Sequence, residues 1–267
     1  MIELLVLALA PAVFILWYVL RKDRYEPEPL RLVLWIFLLG ALAVIPAALI
    51  ESPFSDTLVL GSVVAPVVEE LAKFSVVFLF VYHRAEFNEP MDGIVYAAAA
   101  SLGFASVENL VYVLDGGAAV GLLRAVASVP GHVIFSCVWG AALGIAKFRP
   151  ASRRAGIIVV GLFGAMLLHG IFNFSLEVFG VAGLLLILVV IVPGGWWLTG
   201  RSIRNAHADP SSALSALRQL HNERNGVVHV TAPAGTGEKG DAPRFCTGCG
   251  GRIPAGTDFC TGCGKKV

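Results

Sequence analysis

Six ionisable side chains interrupt stretches that otherwise read as membrane-spanning helices. Glu69, Glu70 and Lys73 fall within TLVLGSVVAPVVEELAKFSVVFLFVY, and Glu108, His132 and His169 fall in the apolar segments that follow. Ionisable groups are costly in hydrocarbon and normally face a bundle interior or a water-filled cavity, so the set marks a functional site. Two carboxylates and two imidazoles can hydrolyse a bond in two ways. In the first, Glu69 deprotonates water with one histidine assisting, while Asn173 and the other histidine stabilise an oxyanion. In the second, Glu69, Glu108, His132 and His169 hold a Zn²⁺ ion that acidifies its water. The residues come from different helices, so spacing leaves both routes open. It also leaves open a purely structural ion pair, because Lys73 lies three residues from Glu70 and four from Glu69. The chain contains no HExxH motif and no glycine-rich nucleotide loop.

The elements that must position these groups are helices in lipid. The 267 residues are 57% hydrophobic and 15% charged, with mean hydropathy +0.77, a composition foreign to soluble domains. A net charge of +1 gives no global argument for nucleic acid, so the placement of the charges carries the information. Seven apolar segments, near 2–20, 31–50, 57–82, 91–113, 121–147, 155–178 and 181–200, approach the ~20 residues that a crossing needs. The fifth is long enough to begin late, tilt or start as a buried loop. The first lacks a basic leader and a small-residue cleavage site, so it reads as a retained helix. Basic residues gather in alternate loops, which by the positive-inside rule puts the N-terminus outside and the tail in the cytoplasm.

Several further residues support this frame. Pro66 interrupts the hydrogen-bond ladder one turn before Glu69 and Glu70. The small residues Ala97 to Ser101, with Gly103 and Ala105, invite close helix packing. Lys73 and Asp92 are supporting residues of the site, Asp92 as a cap or anchor near a helix start. Asn173 shares a face with His169, and Glu177 extends that face outward. Arg124 reads as an interfacial or substrate-contacting cation, and Cys137 as a packed small residue.

The character changes after residue 204. Residues 205–244 read as a flexible linker, with one short amphipathic piece at 211–223. Residues 245–267 carry Cys246, Cys249, Cys260 and Cys263 in two CxxC knuckles, each followed by glycine. That is the ligand count and spacing of a closed, structural zinc site. The segment resembles a short zinc ribbon, whose folding energy must come mainly from the metal. Cytoplasmic placement argues against the competing pair of disulfides. The ribbon's role is that of a tail or a docking knob for a cytoplasmic protein.

Residues 1–204 resemble the PrsW family of intramembrane proteases, related to the CAAX-processing proteases and bacteriocin-immunity proteins. The matching segments are VVEELAK at 67–73, MDGIVYAAAASLGFASVEN at 91–109, PGHVIFS at 130–136 and HGIFN at 169–173. The resemblance implies an all-α polytopic membrane endopeptidase of about seven spans. It would act on single-span or membrane-associated protein substrates in the lipid bilayer, as in site-1 cleavage of an anti-sigma factor. It assigns Glu69, Glu70, Glu108, His132 and His169 to the site, with Lys73 as its basic residue and Asn173 in an HxxxN motif associated with oxyanion stabilisation. The wider CAAX pattern has histidine where this chain has Glu108, and arginine one residue after Lys73, which points away from prenylated substrates. From the residues alone, an ion- or proton-coupled transporter or channel and a non-catalytic scaffold are the rival classes.

Overall fold

The structure, a computed structural model, describes residues 2–54, 57–58, 60–212, 244–245 and 252–253. The chain divides into two compact units, Met1–Gly226 and Val227–Val267. The division falls inside the expected linker.

The first unit is helical. Helix α1 spans Ile2–Leu20, α2 Leu30–Leu42 and α3 Val44–Glu51. A π-helical turn at Leu60–Val64 runs directly into α4, Ala65–Phe80. Helix α5 covers Pro90–Val126, α6 Ser128–Lys147 and α7 Ala151–Phe179. After α8, Val181–Leu186, a second π-helical turn leads into α9, Val192–Ala208.

Five helical stretches are long and apolar enough to cross a membrane: Glu3–Leu20, Leu30–Phe54, Pro90–Lys147, Ala151–Phe179 and Val181–Ala208. The count of seven is not reached, for two physical reasons. The third expected span is helical but carries three charged residues, Glu69, Glu70 and Lys73, near its middle. The fourth and fifth are joined in a single stretch of 58 residues, far beyond the ~20 that one crossing takes. That stretch turns back on itself. Gly117 adopts φ 74° with open space around it, a left-handed conformation suited to glycine. Beyond it, Gly121 comes back against Val113, so the fifth expected span begins as a helical segment folded back on the fourth, not as a buried loop.

The first half of α5 is the centre of the bundle, and every residue from Pro90 to Ser106 is buried. Its small residues let neighbouring backbones touch it. A Cβ on Gly103 would strike the Phe37 carbonyl of α2, and one on Gly93 would strike the Gly140 carbonyl of α6. In contrast, α7 buries only a stripe including Gly161, Ala165 and His169, and leaves Val160, Phe163, Leu167 and Phe174 outward. An apolar exterior of that kind suits lipid contact. Arg21 over Trp17, Lys22 over Tyr18 and Arg201 over Trp197 form the aromatic and basic belt expected at a membrane interface.

A second group of carboxyls is packed where the α1–α2 loop meets the start of α5. Asp23, Glu28, Glu89 and Asp92 are all buried. Asp92 Oδ2 accepts the backbone N–H groups of Asn88 at 2.6 Å and Glu89 at 2.8 Å, so it caps α5 as its position suggested. Tyr96 donates its hydroxyl to Glu28.

In the second unit the described residues are two short strands, β1 at Arg244–Phe245 and β2 at Arg252–Ile253. They pair antiparallel, Arg244 opposite Ile253 and Phe245 opposite Arg252. Cys246, Cys249, Cys260 and Cys263, and with them the expected ribbon site, lie outside the described residues, as does most of the expected linker.

Candidate functional site

Helix α4 places Glu69, Glu70 and Lys73 on its buried side, and the two glutamates face different surroundings. Glu70 is wholly inaccessible. Its Oε2 accepts from Ser136 Oγ at 2.9 Å and Trp139 Nε1 at 2.8 Å. Its Oε1 lies 2.9 Å from Lys73 Nζ and 3.2 Å from His169 Nδ1. Four donors from three helices make it an anchor. Glu69 lies one residue earlier and lines a cavity instead. Its Oε2 takes Lys73 at 3.0 Å, and Oε1 has no hydrogen-bond partner among the described residues.

Lys73 is the hub. Its fully buried ammonium lies 2.8 Å from His132 Nδ1 as well as beside both glutamates, and 4.4 Å from the centroid of the Phe104 ring. A buried cation with three acceptors is compensated, whereas removing any partner would leave an expensive charge.

The histidines arrive from α6 and α7 with carboxylates behind them. His132 Nε2 lies 2.8 Å from Glu108 Oε2, close enough to pair but out of line for a hydrogen bond. His169 turns Nδ1 to Glu70 and stacks on Phe135 at 4.7 Å, which leaves its Nε2 clear of that contact. Ligand atoms of Glu69, His132 and His169 all lie within 4.8 Å of one another. A carboxylate behind each ligating imidazole is the usual outer shell of a metal-binding histidine, fixing tautomer and ring orientation.

The cavity holds about 730 Å³ and is lined by Glu51, Glu69, Phe104, Glu108, Arg124, His132, His169, Asn173 and Glu177, among others. Apolar groups such as Val44, Phe135, Phe172 and Leu184 complete its walls. The structure therefore brings Glu69, Glu70, Lys73, Glu108, His132 and His169 together. It does not bring Asp92, which lies 16 residues before Glu108 on α5, about 24 Å at the helical rise.

Asn173 lines the cavity, but its Nδ2 donates to the Gly61 carbonyl at 2.8 Å. The cause is Pro66. Lacking an N–H, it cannot bond the carbonyl of Ser62 in an α-helical turn or that of Gly61 in a π-helical one, and Asn173 satisfies the latter. The same arrangement recurs on α1, where Pro11 frees the Leu7 carbonyl. Asn109 Nδ2 reaches it at 3.4 Å and the Ala8 carbonyl at 3.1 Å.

Arg124, expected as an interfacial or substrate-contacting cation, lines the cavity, and Glu51 joins it beyond sequence expectation. The fold-back at Gly117 returns Arg124 to Glu108, with Nη2 3.1 Å from Oε1, and its Nε donates to Asn109 Oδ1 at 3.1 Å. The only sequence signal for this was the glycine pair between them. Glu51 had none, since a carboxylate at the end of an apolar segment looks like a loop residue.

The profile of the PrsW family intramembrane metalloproteases matches residues 28–197. A protein named Protease PrsW from Geobacillus kaustophilus is 37% identical over 215 residues, 77% of this chain and 93% of the relative. Relatives of that name from Halalkalibacterium halodurans and Bacillus subtilis are 32% and 31% identical. They cover 78% and 75% of this chain and 98% and 94% of their own lengths. No solved structure matches the chain.

Proposed function

The chain belongs to the PrsW family of intramembrane metalloproteases and is a peptide hydrolase of the membrane, and on that premise we propose that Glu69, His132 and His169 hold its metal. One observation carries the assignment: their ligand atoms lie within 4.8 Å of one another on the wall of the cavity. The donor set fits, because one carboxylate and two imidazoles suit a catalytic zinc with a position left open. When bound, such a metal supplies Lewis acidity toward a peptide carbonyl and lowers the pKa of water.

The chain's own residues do the rest. Glu70 and Glu108 orient the two imidazoles from behind. Lys73 balances the anchored glutamates, and Arg124 holds Glu108. The apolar walls receive the substrate backbone and exclude bulk water from it. A second reading, a glutamate-only hydrolase with Glu69 as general base, is favoured by Lys73, which sits 3.0 Å from Glu69 Oε2 and 2.8 Å from His132 Nδ1, against two of the three candidate ligands.

The substrates are single-span or membrane-associated proteins, anti-sigma-factor-like in the manner of regulated intramembrane proteolysis. Residues 245–267 form a zinc ribbon through Cys246, Cys249, Cys260 and Cys263. This is supported by the CxxC spacing and by the β1–β2 hairpin, whose connection contains the first knuckle. The alternation of basic loops supports an outside N-terminus and a cytoplasmic tail, where the ribbon would dock a protein partner.

The test is cleavage of a panel of single-span proteins by full-length protein in lipid vesicles, beside metal analysis of a full-length variant with the four tail cysteines changed to serine. One equivalent of metal, lost on His169→Ala together with cleavage, supports the metal reading. Cleavage by protein free of metal selects the glutamate-only route. A folded wild type that cleaves none of a broad panel overturns the assignment.

A further inference from the structure

Four carboxylates line the cavity, and three of them have partners. Glu69 has Lys73 at 3.0 Å, Glu108 has Arg124 at 3.1 Å, and the exposed Glu177 accepts from Ser62 Oγ at 3.5 Å. Glu51, the last residue of α3, has none: its Oε1 is shut off from solvent without a hydrogen-bond partner among the described residues. Nor can the cavity's own cation serve it. Arg124 is engaged by Glu108 and Asn109 and lies 4.0 Å from the Tyr112 ring centroid. Lys73 is wholly buried behind the wall among its three acceptors.

Glu51 is half-buried with one carboxylate oxygen shut off from solvent, and no counterion or hydrogen bond among the described residues offsets that desolvation. The missing charge is one that a ligand can bring. An apolar wall beside a lone carboxylate complements a peptide segment whose apolar run carries a cationic side chain.

Resting on the peptidase reading above, we propose that Glu51 is a specificity-determining residue: it receives a Lys or Arg side chain of the substrate close to the scissile bond. The substrate class is then membrane segments with a basic residue near the cleaved position. Neutral or acidic residues there leave Glu51 uncompensated and are disfavoured.

The experiment uses full-length protein in lipid vesicles and a library of single-span peptides varied to Lys, Arg, Ala, Gln, Asp or Glu at each position flanking the cleaved bond. The readout is the ratio of basic to neutral substrates cleaved by one preparation, so differences in active fraction cancel. Wild type should favour a basic residue at one position by about tenfold, which corresponds to about 1.4 kcal/mol. Glu51→Gln should bring that ratio near one, and Glu51→Lys should invert it toward Asp and Glu at the same position. If Glu51→Lys yields no active protein, the Glu51→Gln ratio decides alone. Cleavage without charge preference, or an unchanged ratio in Glu51→Gln, overturns the inference and leaves the peptidase reading standing. No cleavage of any library member by wild type overturns both.

Discussion

Two buried carboxyl clusters share helix α5, and they solve the same problem differently. Around Glu69, Glu70 and Glu108 the charges are matched by Lys73, Arg124 and two histidines. Around Asp23, Glu28, Glu89 and Asp92 no ion pair forms among the described residues, although all four are buried. The second cluster can persist only by keeping protons. Burial, reinforced by neighbouring carboxylates, pushes Asp23 up to about 6, Glu28 to about 8 and Glu89 to about 9. The difference teaches where each kind of cluster is useful. Compensation by cations fixes donors and ligands in place. Compensation by protons makes a junction whose strength the surroundings can change.

The sharpest break of this contrast is chemical. Glu69→Gln or His169→Ala in the matched cluster should lower cleavage about 10²–10⁴-fold in vesicles; near-wild-type turnover would remove these residues from the chemistry. Next comes loss of the hub. Lys73→Met takes the ammonium from Glu70, leaving it with Ser136, Trp139 and His169, and should cost about 3–5 kcal/mol, read as a lower melting temperature in detergent. The double variant Glu70→Gln with Lys73→Met should recover part of that loss, because the stranded charge is gone.

The proton-held cluster predicts a smaller effect with a defined sign. Its carboxyls have raised values in the folded protein, so their contribution is complete below the ordinary carboxyl range. It declines as pH climbs through about 6, 8 and 9. Melting temperature should therefore fall by about 5 °C between pH 5 and pH 9. Glu89→Gln should flatten that slope, and a slope identical to wild type would show that Glu89 is not among the proton-holding groups. The smallest effect belongs to the tether. Asn109→Ala removes hydrogen bonds to α1 and should cost about 1 kcal/mol by the same melting measurement.

Much of this was legible in the chain. Charges inside apolar stretches named Glu69, Glu70, Lys73, Glu108, His132 and His169, and the fold gathers all six because a buried charge must find a partner. The small residues of α5 likewise announced a central helix. What stayed hidden depends on contacts between helices. Adjacent glutamates carry no mark of which faces a cavity and which anchors. Arg124 is placed by a turn at Gly117 that a hydropathy pattern does not reveal. Asp23, Glu28 and Glu89 look like ordinary loop charges until the loops close over them. Asn173 looked like a free donor, and only the neighbouring helix shows its amide occupied by Gly61.

The two proline–asparagine pairs have a consequence for how the protein is made. A helix inserted alone, with carbonyls freed by Pro11 or Pro66, would expose them to lipid, where an unsatisfied backbone group costs several kcal/mol. Helix α1 finds its donor in Asn109, about a hundred residues later in synthesis, and α4 finds its own in Asn173 at a similar distance. Each is fully satisfied in the bilayer only once its partner has emerged. Assembly therefore has an order: the freed carbonyl of the earlier helix is met by water, by the insertion machinery or by its neighbours until the later helix arrives.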